Sequence, residues 1–379
     1  LVVAFGAMIG WGWVVSSGQW ITSGGVLGTV LGFIIGGIMI YFVGLCYAEL
    51  TTAMPKCGGE HVFSYKAFGS IGAYICTWSI ILSYIGVVCY EAVSFPTILQ
   101  YVFPKIARGY LYSVGGFDIY FTWLLIAIGM ALLILFLNII GMKKAARFQK
   151  ILTCVIAAVG IALVAGAAYS GNVNNLQNQL LVGDTNGEII QNIAKVAIMT
   201  PFFLFGFDVI PQAAEEINVP LKKLGKMMIL SIIMAVSFYV LVVLVVGYVM
   251  NAGQIKTSMS SATGLVTADA MGVAFNNANM AKVLIIGGLC GIVTSWNSFL
   301  IGGSRALYSM SVSYMLPRKF AVLHKKYNTP VNSLLLIGAL SVISPFFGRS
   351  MLVWIVDAGN FACCFAYCIV SLSFIVLRR

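Results

Sequence analysis

Ten long apolar segments constrain the fold of this chain more than any other feature. Each is long enough, at about 20 residues, to cross a lipid bilayer as an α-helix. They cover residues 1–22, 26–52, 69–101, 119–141, 147–170, 191–213, 226–250, 281–311, 331–347 and 350–377. Only 9% of the 379 residues are charged, against about 25% in a soluble domain. We therefore predict an all-α polytopic membrane protein with ten transmembrane helices in a single domain, 1–379.

The basic residues predict how these helices are oriented. If the chain begins in the cytoplasm, most of its 22 lysines and arginines fall in cytoplasmic connections, including Lys143, Lys144 and Arg147. This bias is typical of multi-pass proteins of the cell membrane, so both ends are predicted to be cytoplasmic. It also accounts for the net charge of +11. The basic residues do not cluster on one soluble face, so we expect no nucleic-acid partner.

Two of the ten spans contain residues that interrupt a helix. Residues 6–12 (GAMIGWG) of the first span hold three glycines, and residues 201–211 (PFFLFGFDVIP) of the sixth hold two prolines and a glycine. Broken backbone is tolerated in a membrane only where it lines a cavity or is hydrogen-bonded by neighbours. The breaks occupy corresponding places in two halves, about 1–171 and 191–377. They predict a five-plus-five inverted repeat with a binding site near the membrane midplane.

The broken backbone also predicts the ligand. Free N–H groups suit a carboxylate, and free carbonyl groups suit an ammonium or a cation, so two facing breaks fit a small zwitterion. For either break alone, close packing of helices through glycine is the alternative explanation. The predicted substrate site takes residues from both breaks: Met8, Ile9, Gly10, Trp11, Gly12, Phe205, Gly206 and Asp208.

Ionisable side chains at membrane depth are functional candidates because their burial is costly. Asp208 is predicted either to bind a substrate ammonium or coupling proton, or to accept hydrogen bonds from the broken backbone. Glu91 is a second candidate for proton coupling, and Asp357 lies near a span end. Thr294 and Ser295 offer oxygen ligands for Na⁺, although such hydroxyls more often bond to their own helix. Coupling to H⁺ or Na⁺ therefore stays open, and no cofactor or bound metal is expected.

Three motifs resemble those of amino acid permeases of the amino acid–polyamine–organocation superfamily. The first covers residues 47–50 (YAEL), 55–60 (PKCGGE) and 67–69 (AFG). The second combines 206–208 (GFD) with 214–217 (AEEI) and Pro220. The third runs from Ser304 and Arg305 through 316–317 (LP) and His324 to 329–330 (TP). Because the three occur in order, the resemblance covers essentially the whole chain.

This resemblance implies the five-plus-five fold of sodium-coupled leucine transporters and transport by alternating access. Residues 10–12 (GWG) fall on the family's Gly-Ser-Gly turn, whose amides receive the substrate carboxylate. Phe202 falls on an aromatic gating position, and Trp296 on an aromatic neighbour of the substrate. The acidic residues Glu49, Glu215 and Glu216 would lie at cytoplasmic helix ends. There they are expected to form a gate with Arg147 or Lys222, or ordinary interfacial salt bridges.

The chain departs from the family at four points. Trp11 replaces a small residue, which narrows the predicted pocket, and Asp208 stands where many relatives carry glutamate. Some proton-coupled members carry a lysine in the fifth helix, three residues after the threonine of a Gln-x-x-x-Thr stretch. Here Gln149 and Thr153 are present, but that position is Ile156. Members usually have twelve helices, so we expect the sequence to be clipped at both ends.

These observations favour a secondary active transporter of a small amino acid over other classes of membrane protein. An amine or polyamine carrier, for example of an ethanolamine-like substrate, is the alternative, because the Asp208 carboxylate can bind an ammonium group. A membrane enzyme is remote, since the sequence has no His-Glu-x-x-His or Gly-x-Ser-x-Gly motif. A channel is also remote, because it does not need two broken helices at matching positions.

Overall fold

The computed structural model describes residues 1–217, 219–261 and 263–378, with the side chains of Leu221, Lys222 and residues 349–353 not described. These parts of the chain are mostly helical. The helices of the first half are α1 (Val2–Met8), α2 (Gly12–Val15), α3 (Ser17–Ala53), α4 (Glu60–Val102), α5 (Phe121–Ile139), α6 (Met142–Ser170) and α7 (Val173–Gln177). Those of the second half are α8 (Asn186–Phe203), α9 (Val209–Gln212), α10 (Leu221–Val249), α11 (Ala252–Met259), α12 (Val266–Ala274), α13 (Ala278–Val312), α14 (Val331–Ile343) and α15 (Gly348–Arg378).

Seven stretches of the described chain are long and apolar enough to cross a membrane. They are Ser17–Ala53, Glu60–Val102, Phe121–Ile139, Met142–Ser170, Lys223–Val249, Ala278–Val312 and Trp354–Arg378. Two shorter apolar stretches, Val2–Val15 and Val331–Phe347, accompany them. The chain is therefore a polytopic helical membrane protein. The count of ten spans and the inverted repeat stay predictions.

A sharp turn inside α3 separates the first two predicted spans. Gly25 has φ 76° and ψ 174°, a conformation that glycine adopts without steric cost. Beyond the turn, the N–H groups of Val26 and Leu27 each donate a 2.8 Å hydrogen bond, to the carbonyls of Gln179 and Leu180 respectively. The long connection 171–190 thus hydrogen-bonds backbone groups that the turn removes from the helix ladder.

Helix α13 runs through the centre of the bundle. Within its most apolar stretch, 89% of the residues are buried, and it contacts α1, α4, α6, α12 and α14. Glycine allows the closest of these contacts: a Cβ on Gly291 would lie 2.5 Å from the Gly10 carbonyl oxygen. Helix α13 therefore supports the interrupted first span directly, backbone against backbone.

One element contradicts the all-α prediction. Strands β1 (Tyr110–Val114) and β2 (Phe117–Tyr120) form an antiparallel hairpin with Val114 opposite Phe117. The two residues between them, Gly115 and Gly116, have φ of 55° and 79°, as a two-residue hairpin turn requires. The short helices α7, α11 and α12 lie between the predicted spans.

Substituting Gly291 with alanine is expected to destabilise the protein. The added methyl group would overlap the Gly10 carbonyl, and overpacking of this kind typically costs about 1–3 kcal/mol. Thermal unfolding of the purified variant in detergent should show a lower midpoint than the wild type. Gly129→Ala in α5 is the matched control, because a Cβ there would meet no atom within 4 Å. Equal midpoints for the two variants would contradict the close contact.

Candidate functional site

The first break leaves backbone donors without partners. Helix α1 ends at Met8 and α2 begins at Gly12. Among the described residues, no hydrogen bond is made by the N–H of Gly10 or of Trp11. One carbonyl at the end of α1 is satisfied, since the Tyr239 hydroxyl donates to Met8 O at 2.9 Å. An excess of free donors at this position suits an anionic group of a ligand.

The second break lies against the first. Helix α8 ends at Phe203 and α9 begins at Val209, and between them Gly206 adopts φ 128°. A Cβ on Gly206 would lie 2.6 Å from the Cβ of Ala7 and 3.1 Å from its carbonyl carbon. Glycine is therefore required here both by its backbone conformation and by the contact with α1.

A cavity of about 570 Å³ lies where the breaks meet. Seven residues of the predicted substrate and sodium sites line it: Met8, Gly10, Trp11, Gly12, Phe202, Phe205 and Ser295. Its walls are rich in aromatic side chains, with Trp20, Phe203 and Phe299 among them. The cavity reaches Gln19, whose side chain is exposed. It therefore combines apolar walls with free backbone donors at one end.

Five other predicted site residues do not line the cavity: Ile9, Gly206, Asp208, Thr294 and Trp296. Trp296 is only 1% exposed. It follows Ser295 on α13, and because successive helical residues point about 100° apart, it faces a different direction from that cavity-lining serine. The resemblance that suggested Trp296 cannot show on which face of the helix its side chain lies.

Asp208 is buried, and both of its carboxylate oxygens accept hydrogen bonds from the protein itself. Its Oδ2 accepts a hydrogen bond of 2.5 Å from the Tyr84 hydroxyl. Its Oδ1 accepts one of 3.0 Å from the Tyr367 hydroxyl and another of 3.0 Å from the Gly206 N–H. This geometry matches the alternative in which Asp208 accepts hydrogen bonds at the break. Sequence reasoning missed the two tyrosines, although buried hydroxyl groups in apolar spans require partners.

Glu91 is the buried carboxylate that lines the cavity. It is 4% exposed, and its Oε2 has no hydrogen-bond partner among the described residues. Its Oε1 lies 3.3 Å from the position that a Cβ on Gly10 would occupy, so it sits beside the first break. Asp357 of α15 adds a second carboxylate, and no Lys, Arg or His belongs to the described lining. The cavity therefore favours a ligand that carries a positive charge.

The two predicted sodium ligands differ in their surroundings. Thr294 makes hydrogen bonds within the protein, whereas Ser295 lines the cavity. Thr294 Oγ1 donates to Gly6 O at 3.0 Å and to Gly291 O at 2.9 Å. Nearby, Gln149 Nε2 donates to Ser298 Oγ at 2.6 Å, and Ile156 is buried at the position where some relatives carry lysine. The hydrogen bonds of Thr294 and Gln149 thus link α1, α6 and α13 to one another.

A buried arginine near the end of α13 forms an ion pair that the sequence analysis did not name. Arg305, 1% exposed, places Nε 2.8 Å from Glu216 Oε1 and Nη2 3.2 Å from Glu216 Oε2. Glu216 was predicted to pair with Arg147 or Lys222. The described Arg147 is exposed, and the Lys222 side chain lies outside the described residues. A hydropathy analysis does not detect Arg305, because a single charge scarcely changes the mean hydropathy of a long apolar span.

Removing the Tyr84 hydroxyl is expected to destabilise the second break. Hydrogen bonds to charged groups contribute about 1.5–3 kcal/mol, so Tyr84→Phe should lower the thermal unfolding midpoint of the purified protein. Tyr308→Phe is the control, because Tyr308 is half-buried and its hydroxyl makes no hydrogen bond within the described chain. A Tyr84→Phe variant as stable as this control would show that Asp208 does not depend on Tyr84.

Comparison with known proteins agrees with this architecture. The sequence profile of the family described as amino acid permease matches residues 1–379. The chain is 26% identical to the branched-chain amino acid permease BcaP of Bacillus subtilis and 24% identical to the methylthioribose transporter of that bacterium. Each alignment covers 100% of this chain and 79% of the relative. It is also 24% identical to the vacuolar cationic amino acid transporter 8 of Arabidopsis thaliana, over 62% of that protein. The chain belongs to the amino acid permease family.

Proposed function

We propose that this permease is a secondary active transporter of a small zwitterionic amino acid across the cell membrane. The observation that carries the proposal is that groups suited to a negative charge and a group suited to a positive charge lie together at the first break. The free N–H groups of Gly10 and Trp11 suit a carboxylate, while Glu91, with an unpartnered oxygen, lies beside Gly10. An α-amino acid carries a carboxylate and an ammonium only a few ångströms apart, so it can engage both.

The walls of the cavity favour a small or apolar side chain. Trp11, Phe202, Phe205 and Phe299 contribute aromatic surface, which stabilises apolar groups by removing them from water. The Trp11 indole fills the space next to α13, where a Cβ on Gly288 would lie only 2.2 Å from its Cζ3. Trp11 therefore restricts the length of the substrate side chain.

A carrier of amines or cationic amino acids is the second candidate. It is favoured by the two carboxylates, Glu91 and Asp357, in a lining that has no described basic residue. In that case Asp357 would bind the second positive charge of a longer substrate. The two candidates differ in whether the substrate must carry a carboxylate.

Alternating access supplies the transport cycle in this proposal. The cavity extends towards Gln19, and the Arg305–Glu216 pair acts in this proposal as the gate at the other end. We further propose that ten helices form two inverted repeats, about 1–171 and 191–377, that rock against each other, with both ends of the chain in the cytoplasm. Breaking the Arg305–Glu216 pair would then open the cytoplasmic side, and a gradient of H⁺ or Na⁺ would drive accumulation.

Uptake into proteoliposomes tests the proposal. A panel of labelled zwitterionic amino acids, cationic amino acids and amines is offered with and without a proton or sodium gradient. We expect a zwitterionic amino acid to accumulate. Glu91→Gln should lower its transport efficiency by about 30-fold or more, since losing one partner of a buried charge pair costs about 2–5 kcal/mol. Accumulation only of amines that lack a carboxylate would overturn the carboxylate site at Gly10 and Trp11.

The matched control for that variant is Glu188→Gln. Glu188 is exposed in the first turn of α8, where its Oε2 accepts a 2.9 Å hydrogen bond from the Asp184 N–H. It does not line the cavity. Equal losses in the two glutamine variants would show that Glu91 has no special role in substrate binding.

Shortening Trp11 is expected to change which substrates are carried. Trp11→Ser removes the indole from the cavity, so transport efficiency for phenylalanine relative to alanine should rise about tenfold, as expected for a pocket that gains a few methylene volumes. Competition assays with labelled alanine measure the ratio. Trp354→Ser is the control, because Trp354 is 78% exposed and does not belong to the cavity lining. An unchanged ratio in the Trp11 variant would contradict this role.

A further inference from the structure

Away from the cavity, a second pair of buried polar side chains links α4 to α9. Glu60, the first residue of α4, and Gln212, the last residue of α9, are both 0% exposed, and Gln212 Nε2 donates to Glu60 Oε2. The backbone holds the two segments together, because the Gly58 N–H donates to the Gln212 carbonyl at 3.1 Å. The Cys57 thiol donates to the same carbonyl at 3.2 Å, and burial raises the pKa of this thiol to about 12, so it remains a donor.

The same pair contains two oxygens without partners. Glu60 Oε1 and Gln212 Oε1 are both buried and make no hydrogen bond among the described residues. An ionised carboxylate and an amide oxygen are both acceptors, so neither can satisfy the other. The adjacent Tyr47 hydroxyl is also unpartnered. It can donate to one of the two oxygens at most, so the other still lacks a donor.

The surroundings of Glu60 supply no positive charge. The titratable groups that face it are Tyr47 of α3, Cys76 and Tyr84 of α4, Asp208 at the second break, and Cys363 of α15. None of them becomes cationic, and Asp208 is itself acidic. His61 is hydrogen-bonded to Thr77 at 2.9 Å and Ser313 at 2.8 Å. The buried guanidinium of Arg305 pairs with Glu216.

We propose that Glu60 and Gln212 together form a proton-binding site. A proton on Glu60 Oε1 turns this atom into a donor to Gln212 Oε1, while Gln212 Nε2 continues to donate to Glu60 Oε2. The result is a cyclic pair between a carboxylic acid and an amide, in which one proton satisfies both orphaned oxygens. Binding takes one H⁺ from solvent and release returns it, so the carboxyl alternates between neutral and ionised forms.

The position of the pair connects this proton to transport, and this step rests on the proposed function. Gln212 ends the short helix that follows the second break, and Arg305 and Glu216 lie on the neighbouring elements. A movement of α9 that opens the bundle withdraws the amide from Glu60. The acid then loses its partner, meets water and releases the proton on the side opposite the cavity mouth. Glu60 thereby couples a proton to the movement of the broken helix.

Infrared spectroscopy tests the proton site without any substrate. The carbonyl stretch of a protonated carboxyl absorbs where ionised carboxylates and amides do not. We expect the reconstituted wild type at neutral pH to show such a band that Glu60→Gln loses and Glu188→Gln keeps. Gln212→Leu should shift the band to higher frequency, because the carbonyl loses its hydrogen bond from Nε2. An unchanged spectrum in Glu60→Gln would overturn the proposal.

Transport measurements then test the coupling. With the membrane potential held at zero, a tenfold proton gradient should drive about tenfold accumulation if one proton accompanies each substrate molecule. Glu60→Gln mimics the neutral acid and can keep both hydrogen bonds, so we expect it to exchange substrate but to accumulate none above equilibrium. Gradient-driven accumulation as high as in the wild type would overturn the coupling. If the wild type carries no amino acid or amine, the proposed function fails, whereas the infrared result stands independently.

Discussion

The contact between the two broken segments is the constraint on which the rest of the site depends. Gly206 meets the backbone of Ala7, and on the other side Gly291 of α13 meets the Gly10 carbonyl. Both contacts are closer than any side chain would allow. They hold the non-helical backbone of the first span between α13 and the second break, where freed polar groups can be hydrogen-bonded or can face the cavity. In lipid, broken backbone has no other stable location.

The hydrogen-bond environment assigns different roles to the acids near these breaks. Asp208 receives three donors from the protein and does not line the cavity. Glu91 retains an unpartnered oxygen and faces the cavity. Removing the charge of Asp208 should therefore affect the stability of the second break, whereas Glu91 is placed to affect the substrate. The number of donors around each carboxylate separates the two roles better than its position along the helix.

The parts of the fold that hydropathy governs were predictable from the sequence. The apolar segments and the positions of both breaks follow from residue type alone, because lipid excludes charges and unpaired backbone. The hairpin was missed, since the Gly115–Gly116 turn lies between spans in a region interpreted only as a connection. At the site, the glycine pattern was enough to predict that residues 10–12 line the cavity. The rest depends on which face of a helix meets which neighbour, as the buried positions of Asp208 and Trp296 illustrate.

Contacts between residues that are distant in sequence could not be predicted from the sequence alone. Glu60 appeared only as the last residue of the 55–60 segment of the first motif, and Gln212 had no distinguishing pattern. The two residues contact each other although 152 positions separate them. The glycines before Glu60 make that contact possible, because a Cβ on Gly59 would lie 2.9 Å from Pro211 and one on Gly58 would lie 2.1 Å from Ser309 Oγ. The connection between α3 and α4 thus packs on α9 and α13 at once. In the proposed cycle, a displacement of α9 disturbs Glu60 and the neighbouring Arg305–Glu216 pair together, and this shared disturbance links proton release to opening of that end of the bundle.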